Sequence, residues 1–401
     1  MHSLPACDVI ASPRPLRGRI LAAAAAFAVA LAAPAASAAE AVKLPRSLTI
    51  SAYDTGSSGF NMAVAVGRAL KDRYGVDLRV LPAGNDVARL TPLKAGRAQA
   101  SAMGIGIYYA QEGVFEFAAR EWGPQALRLI LSSTDCNAVS LGVAADTGAR
   151  EVRDLKDKRI GIVTGSPALN QNAFAVLAYG DLKPADVRLV EFPSYAQMWK
   201  GIVNGEADAG IASTLSGQAR EVEASPRGLV FPATPASDEA GWQRIRAIAP
   251  YYAPHTTTCG PGLSADAPAE LPSYPYPIFT TYATQPADLI RSVAAAMIET
   301  YPAYRDRAPG AAGLALSKQP LDWALPYHDG AVAAMKAAGV WTARHQAHND
   351  ALVRRQEVLG TAWKAFWSTR PTGDEAARRK AWMAARAKAL TDAGMPVVFE
   401  P

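Results

Sequence analysis

Apolar positions along the first half of the chain switch repeatedly between two periods. Leu48-Thr49-Ile50-Ser51-Ala52 alternates at period two, and Asp54-Thr55-Gly56-Ser57-Ser58-Gly59 breaks the alternation. Met62, Val66, Ala69 and Leu70 then fall on one helical face, with Arg68, Lys71 and Asp72 elsewhere. This predicts a strand, a loop and a helix able to cover a sheet. The order repeats as a strand over 76–81, a loop over 82–86, a helix over 87–94 stopped near Gly96, and a strand over 98–103. Residues 127–131 and 139–145 are further strand candidates. A charged turn over 154–158 leads into a strand over 159–163, and Thr164-Gly165-Ser166-Pro167 opens a helix running to Tyr179. A strand over 187–190, a helix over 195–203 and a strand over 207–211 follow. Strands alternating with helices of this length predict largely parallel sheets joined by right-handed crossovers.

From Phe231 the pattern loosens, with nine prolines between Pro232 and Pro277. Such a stretch suits a chain crossing between two lobes. Residues 278–282 are predicted to return as a strand, and 286–301 to form a helix with Leu289, Val293, Ala296 and Met297 inward. The remainder is helical. Leu352, Leu359, Trp363 and Phe366 make one apolar stripe, and Thr372 with Glu375 suggests a capping box for the last helix. The expected divisions are a first lobe over 47–143 with 255–342 returning to it, a second lobe over 144–250, and a helical extension over 343–401.

Residues 1–38 stand apart from the fold. Arg14, Arg17 and Arg19 precede an apolar run over 20–33, and Ala36-Ser37-Ala38 follows. Together these describe a secretory signal peptide cleaved after Ala38, with an apolar run too short to span a bilayer. The Ala-rich composition points to a bacterial periplasm. Removal of the leader leaves Cys136 and Cys259, which an oxidising compartment allows either to pair or to remain as thiols.

At 50% hydrophobic and 19% charged residues, the 401-residue chain is globular rather than disordered. Its formal charge of +5 is not concentrated in any Lys/Arg block, which argues against a nucleic-acid partner. Gly56-Ser57-Ser58-Gly59 is followed by Phe60 and is not a nucleophile elbow, and Gly104-Ile105-Gly106-Ile107 lacks the third glycine of a dinucleotide loop. His345 and His348 lack the cysteine or paired carboxylate of a metal site. No catalytic residue, metal or cofactor is therefore assigned. The rival enzymatic reading, an exported α/β hydrolase, has His328-Asp329 as its best pair.

The stronger pattern lies in the loops that follow strands. In parallel sheets these loops gather at the carboxyl edge, where ligands bind. The expected ligand-binding set is Ser57, Ser58, Gly59, Asn85 and Met103 from the first lobe, Ser166, Asn170 and Ser213 from the second, and Tyr251 or Tyr252 from the crossing. Arg68 and Arg89 are candidate carboxylate partners, with a solvated helix face the favoured reading of both. Helix N-termini carry unpaired N–H groups and partial positive charge, so the expected ligand carries a carboxylate.

Over most of Leu48 to Trp341 the chain resembles the TAXI-type solute-binding subunits of tripartite, ATP-independent periplasmic (TRAP) transporters. The segments that carry the resemblance are Thr55-Gly56-Ser57-Ser58-Gly59-Phe60, Gly84-Asn85-Asp86-Val87-Ala88-Arg89-Leu90, Leu93-Lys94-Ala95-Gly96-Arg97-Ala98-Gln99, Asp154-Leu155-Lys156-Asp157-Lys158-Arg159-Ile160 with Gly165-Ser166, Ile248-Ala249-Pro250-Tyr251-Tyr252, and Leu325-Pro326-Tyr327-His328-Asp329-Gly330-Ala331. The departures are Phe60-Asn61 in place of an aromatic pair, Asp329 in place of a proline, and Pro167-Ala168-Leu169 in place of a small polar run. The resemblance implies a bilobed periplasmic-binding-protein fold of the venus-flytrap type. It implies a monomer that closes on an organic acid or amino acid and delivers it to membrane subunits driven by an ion gradient. The alternative of the same class is the receptor of an ATP-driven importer or of a sensor.

Overall fold

The structure, a computed structural model, describes residues 41–400, so the leader predicted over 1–38 lies outside the described residues. The first βα repeats form as the hydrophobic periods require. Strand β1 (Ser47–Ala52) leads into α1 (Ser58–Tyr74), β2 (Asp77–Pro82) into α2 (Asp86–Lys94), and β3 (Ala100–Met103) into α3 (Gly106–Glu112), before β4 (Leu127–Ser132). Ser57 caps α1 by accepting the Phe60 N–H, and Asn85 caps α2 by accepting the Ala88 N–H.

The chain then leaves for a second sheet. Strand β5 (Val139–Ala144) precedes β6 (Arg159–Val163), α4 (Pro167–Tyr179), β7 (Arg188–Phe192), α5 (Tyr195–Val203), β8 (Ala209–Ser213), α6 (Gly217–Ala224), β9 (Leu229–Val230) and α7 (Glu239–Ile248). Strands β10 (Ala253–Thr257) and β11 (Ala269–Ser273) pair as a separate antiparallel ribbon. Strand β12 (Ile278–Tyr282) re-enters the first sheet, followed by α8 (Ala287–Tyr304), α9 (Asp329–Ala337), α10 (Ala343–Ser368) and α11 (Glu375–Asp392).

The two five-stranded sheets run β2-β1-β3-β12-β4 and β7-β6-β8-β5-β9. In each, four strands run in one direction and the fourth in order, β12 or β5, runs against them, antiparallel to both its neighbours. That fourth strand is the one delivered by a crossing. The sheets are thus the expected parallel/mixed kind, with one reversed strand each, because a strand arriving from the other lobe is not bound by the helical crossover that forces parallel pairing.

The expected lobe boundaries shift for the same reason. Strand β5 belongs to the second sheet, so the first crossing occupies 133–138, ahead of the expected break after 143. Of the stretch expected to return from 255, the ribbon packs against β5 and only β12 joins the first sheet. Pro272, Pro275 and Pro277 remove the N–H donors that an interior strand would need. Cys136 on the first crossing is bonded to Cys259 beyond β10, with Cα atoms 5.5 Å apart. The two lobes belong to one compact unit beginning at Ala41.

The C-terminal extension is fastened to the first lobe by charge as well as by packing. Glu112, fully buried at the end of α3, accepts two hydrogen bonds from Arg355 at 2.7 and 2.8 Å and pairs with Arg386. Burial alone would raise the Glu112 carboxyl; the bonds and charges of the two arginines hold it below the usual carboxylate range. Trp382 donates to the Gly113 carbonyl at 2.6 Å, and Phe399 packs within 5.8 Å of the rings of Tyr108, Tyr109 and Phe115. Helix α11 is capped by Asp374, which accepts the Ala377 N–H at 2.8 Å, so the expected Thr372/Glu375 box does not form. Gly373 takes φ +98° just before it, a turn that starts the helix two residues later than the box would.

Candidate functional site

Helices α1 and α2 start at the carboxyl ends of β1 and β2, and α4, α5 and α6 start at the carboxyl ends of β6, β7 and β8. The two sets of loops face each other across a seam. Lobe 1 supplies mainly oxygens, and lobe 2 supplies the N–H groups of three helix starts. At α6, the Gly217 N–H donates to the Gly56 carbonyl at 3.0 Å, and the Gln218 amide donates to the Thr55 carbonyl at 3.0 Å. At α5, the Tyr195 N–H donates to the Gly84 carbonyl at 3.0 Å, and the Ala196 N–H to the Asp54 carboxylate at 2.9 Å. At α4, the Ala168 N–H donates to the Asp86 carboxylate at 2.8 Å and the Ser166 hydroxyl to the same oxygen at 3.2 Å. One bond runs the other way, from the Val87 N–H to the Gly165 carbonyl at 3.2 Å.

The amides expected to meet a ligand carboxylate are met in this structure by acceptors of the opposite lobe. Each of the three helix starts in lobe 2 is already satisfied by an acceptor of lobe 1, two of them aspartates. The reason is the general one that orphan N–H groups take the nearest oxygen, here one carried by the opposing lobe.

Behind the seam stands a layer of buried phenols. Tyr53 donates to Asp86 at 3.1 Å, and the Arg89 guanidinium stacks over the Tyr53 ring at 3.1 Å from its centroid while pairing with Asp86. Tyr251 donates to Asn172 at 2.6 Å and shares a 2.6 Å hydrogen bond with Tyr109, tying lobe 2 to lobe 1. Tyr252 donates to the Val139 carbonyl at 2.8 Å. Burial raises the phenols of Tyr53, Tyr109, Tyr251, Tyr252 and Tyr276, so all five stay neutral at ordinary pH. Beside this layer, at the hinge, lies a cavity of ≈ 410 Å³ ringed by Tyr108, Tyr251, Tyr252, Tyr274, His255 and Trp323.

The sequence-predicted residues divide into two groups. Ser58 is buried beside the Tyr276 hydroxyl, which also lies over Gly59, and Asn85 faces Gly165 across the seam. Ser166 bonds Asp86, and Tyr251 and Tyr252 bind the crossing to both lobes. The others are committed locally. Ser57 caps its own helix, and Ser213 accepts the Leu215 N–H at 3.3 Å. Asn170 clips both backbone groups of Val163, at 2.8 and 3.0 Å. Met103 is buried at the end of β3, opposite Ile278. The four serines do not line one hollow.

Arg68 sits on a solvated face, paired with Asp72. Arg89 does not: it is fully buried, because Asp86 gives it a countercharge three residues back and the Ala102 carbonyl accepts from it at 3.2 Å. The residues that sequence reasoning missed are Asp54, Asp86, Tyr53 and Asn172, and for Arg89 it favoured a solvated face over the buried position found. Their signal was weak, since Asp54 and Asp86 sit in loops where aspartate is an ordinary turn former. His328, the base of the hydrolase alternative, caps α9 through Nδ1, which accepts the Gly330 N–H at 3.1 Å.

Two mixed α/β lobes joined by a pair of crossings, with strand ends and helix starts meeting across a seam, define the bilobed fold of periplasmic solute-binding proteins, here with a helical C-terminal extension. The chain belongs to the NMT1-like family, whose model matches residues 51–339. Among solved structures it is similar to an ancestral arginine-binding protein bound to arginine, at 13% identity over 67% of this chain and 100% of that one, with a TM-score of 0.41. It is also similar to the alkanesulfonate-binding protein of Xanthomonas axonopodis pv. citri bound to MOPS, at 17% identity over 76% and 94% of the two chains, with a TM-score of 0.39. A third is an ABC transporter periplasmic binding protein from Brucella ovis with glutathione bound, at 13% identity over 63% and 66%, with a TM-score of 0.41. No curated protein matches the chain. Among the described residues, no helix is long and apolar enough to cross a membrane.

Proposed function

We propose that this chain is the extracytoplasmic solute-binding subunit of a TAXI-type TRAP transporter, capturing a small organic acid or amino acid between its lobes for membrane subunits driven by an ion gradient. The observation that carries the reading is the seam, where small-residue loops of one lobe meet three helix starts of the other through hydrogen bonds that only a closed molecule can make. A solute that reaches both lobes shifts the balance between open and closed forms by its differential affinity for them, about 1.4 kcal/mol for each tenfold. Of the segments that resemble TAXI subunits, those over 55–60, 84–90 and 165–166 lie at this seam and that over 248–252 at the hinge, and the resemblance they carry supports the TRAP partner over an ATP-driven importer. The proposed ligand contacts are Ser58, Gly59, Asn85, Ser166, Tyr251 and Tyr252, with cleavage after Ala38 releasing the protein into the periplasm.

The test is a thermal-shift panel of dicarboxylates, keto acids, amino acids and aromatic acids, followed by calorimetry. One chemical class should raise the midpoint saturably, as mass action requires. Catalytic turnover of a panel compound, or no saturable binding across the panel, would refute the reading.

A further inference from the structure

The Asp86 carboxylate rests in a cradle whose donors come from both lobes. Its Oδ1 accepts from Tyr53 at 3.1 Å and pairs with Arg89; its Oδ2 accepts from the Ala168 N–H at 2.8 Å and from the Ser166 hydroxyl at 3.2 Å. Asp86, Arg89 and Ser166 are all fully buried. The fourth wall is Gly106, where any Cβ would lie 2.6 Å from the Asp86 carboxyl carbon, so the position admits the carboxylate only because it is glycine.

Two of the donors, Arg89 and the Ala168 N–H, do not depend on Asp86 for their places. Arg89 is held by the Ala102 carbonyl at 3.2 Å and by the Tyr53 ring, and the Ala168 N–H belongs to the first turn of the 13-residue α4. Arg89 also keeps its Nε without a hydrogen-bond partner at zero exposure. A carboxylate on a short tether reaches only part of the guanidinium edge. An untethered one is free to take the two-point arrangement that arginine favours.

We infer that Arg89, Tyr53, Ser166 and the start of α4 form a binding site for the carboxylate of a small organic acid, and that Asp86 occupies it as a tethered competitor. A solute that takes the place of Asp86 holds the two lobes together through the same donors. The identity of the natural occupant rests on the solute-binding reading above, whereas the cradle does not. The tether gives Asp86 a high effective concentration, so millimolar free carboxylate does not displace it from the wild-type seam.

The test uses the mature chain, Asp86→Ala, and Asp86→Ala combined with Arg89→Met. Each is melted in sodium acetate or formate and, as control, in sodium chloride of equal ionic strength, up to about 100 mM. Acetate should raise the midpoint of Asp86→Ala saturably, while wild type and the double variant respond to acetate only as they do to chloride. If Asp86→Ala does not fold in plain buffer, its refolding yield is compared in the two salts, and acetate should restore it. Equal responses of Asp86→Ala to acetate and chloride, in melting or in refolding, would overturn the inference. Acetate rescue in a protein that binds no solute would sink the transport reading alone, and solute binding without rescue would sink this one alone.

Discussion

Gly84 offers the sharpest test that the seam is a moving contact. A Cβ built there collides with the Cβ of Ser194 in the opposite lobe and lies 3.2 Å from the Ser194 Cα, a backbone atom that no rotamer change removes. Gly84 does not occupy the left-handed region, so alanine brings no local strain; the whole penalty falls on the closed form. Overpacking of this kind costs about 1–3 kcal/mol. At about 1.4 kcal/mol per tenfold, Gly84→Ala should shift the open-to-closed ratio by about 5- to 150-fold toward open. Small-angle scattering of the unliganded variant should show a larger radius of gyration, and the affinity for any solute that closes the lobes should fall by up to the same factor. Cooperative unfolding of each lobe should hardly change. An unaltered scattering profile together with unaltered solute affinity would refute the reasoning, because it would mean that the lobes absorb the methyl group without parting.

Three further outcomes follow from buried charge and covalent linkage. Glu112→Gln leaves Arg355 and Arg386 without their countercharge and should cost about 3–5 kcal/mol. With an unfolding entropy of about 2.1 cal/mol/K per residue over some 360 residues, that is a fall of about 4–7 °C in the melting temperature; a change below about 1 °C would show that water reaches the cluster. Because the folded carboxyl of Glu112 is depressed, its contribution is present above the unfolded value of about 4.3 and is lost as pH falls through the folded one. Burial lowers His255 and His328, so their unfolded forms take up protons first, and stability should decline as pH drops below about 6.5. His328→Asn, which keeps an acceptor for the Gly330 N–H, should flatten that decline in urea titrations at pH 7 and 5.5; an unchanged slope would exonerate His328. The Cys136–Cys259 bond closes a separation of 123 residues, and replacing both with serine should cost up to roughly 5 kcal/mol on the chain-entropy account. Thiol titration of the denatured, unreduced mature protein should find no reactive thiol, and two would exclude the bond.

The regular elements were legible because hydrophobic period alone sets them. β12 and α5 fall on their expected residues, and β1, α2 and β4 within one or two, since each buries one face against a neighbour whatever that neighbour is. The ribbon of β10 and β11 escaped notice because its prolines and short apolar segments carry neither period. Asp86, and the burial of Arg89, escaped for a different reason. At positions three apart on a helix they look like a solvated pair, and only packing against Tyr53, the Ala102 carbonyl and the start of α4 takes both out of water. Ser57, Asn170 and Ser213 show the converse, since a small polar residue after a strand is equally suited to a ligand and to its own backbone.

By itself, then, the amino-acid order determined the alternation of strands and helices, the pairing of two α/β lobes and the helical tail, because local periodicity and turn chemistry act over a few residues. Tertiary structure alone decided which sheet receives each crossing strand, that the two cysteines meet, and that the helix starts of one lobe are answered by Asp54, Asp86 and two backbone carbonyls of the other. Contacts across the seam join residues up to 163 positions apart, and no local pattern fixes which of many equivalent oxygens will lie nearest once the lobes come together.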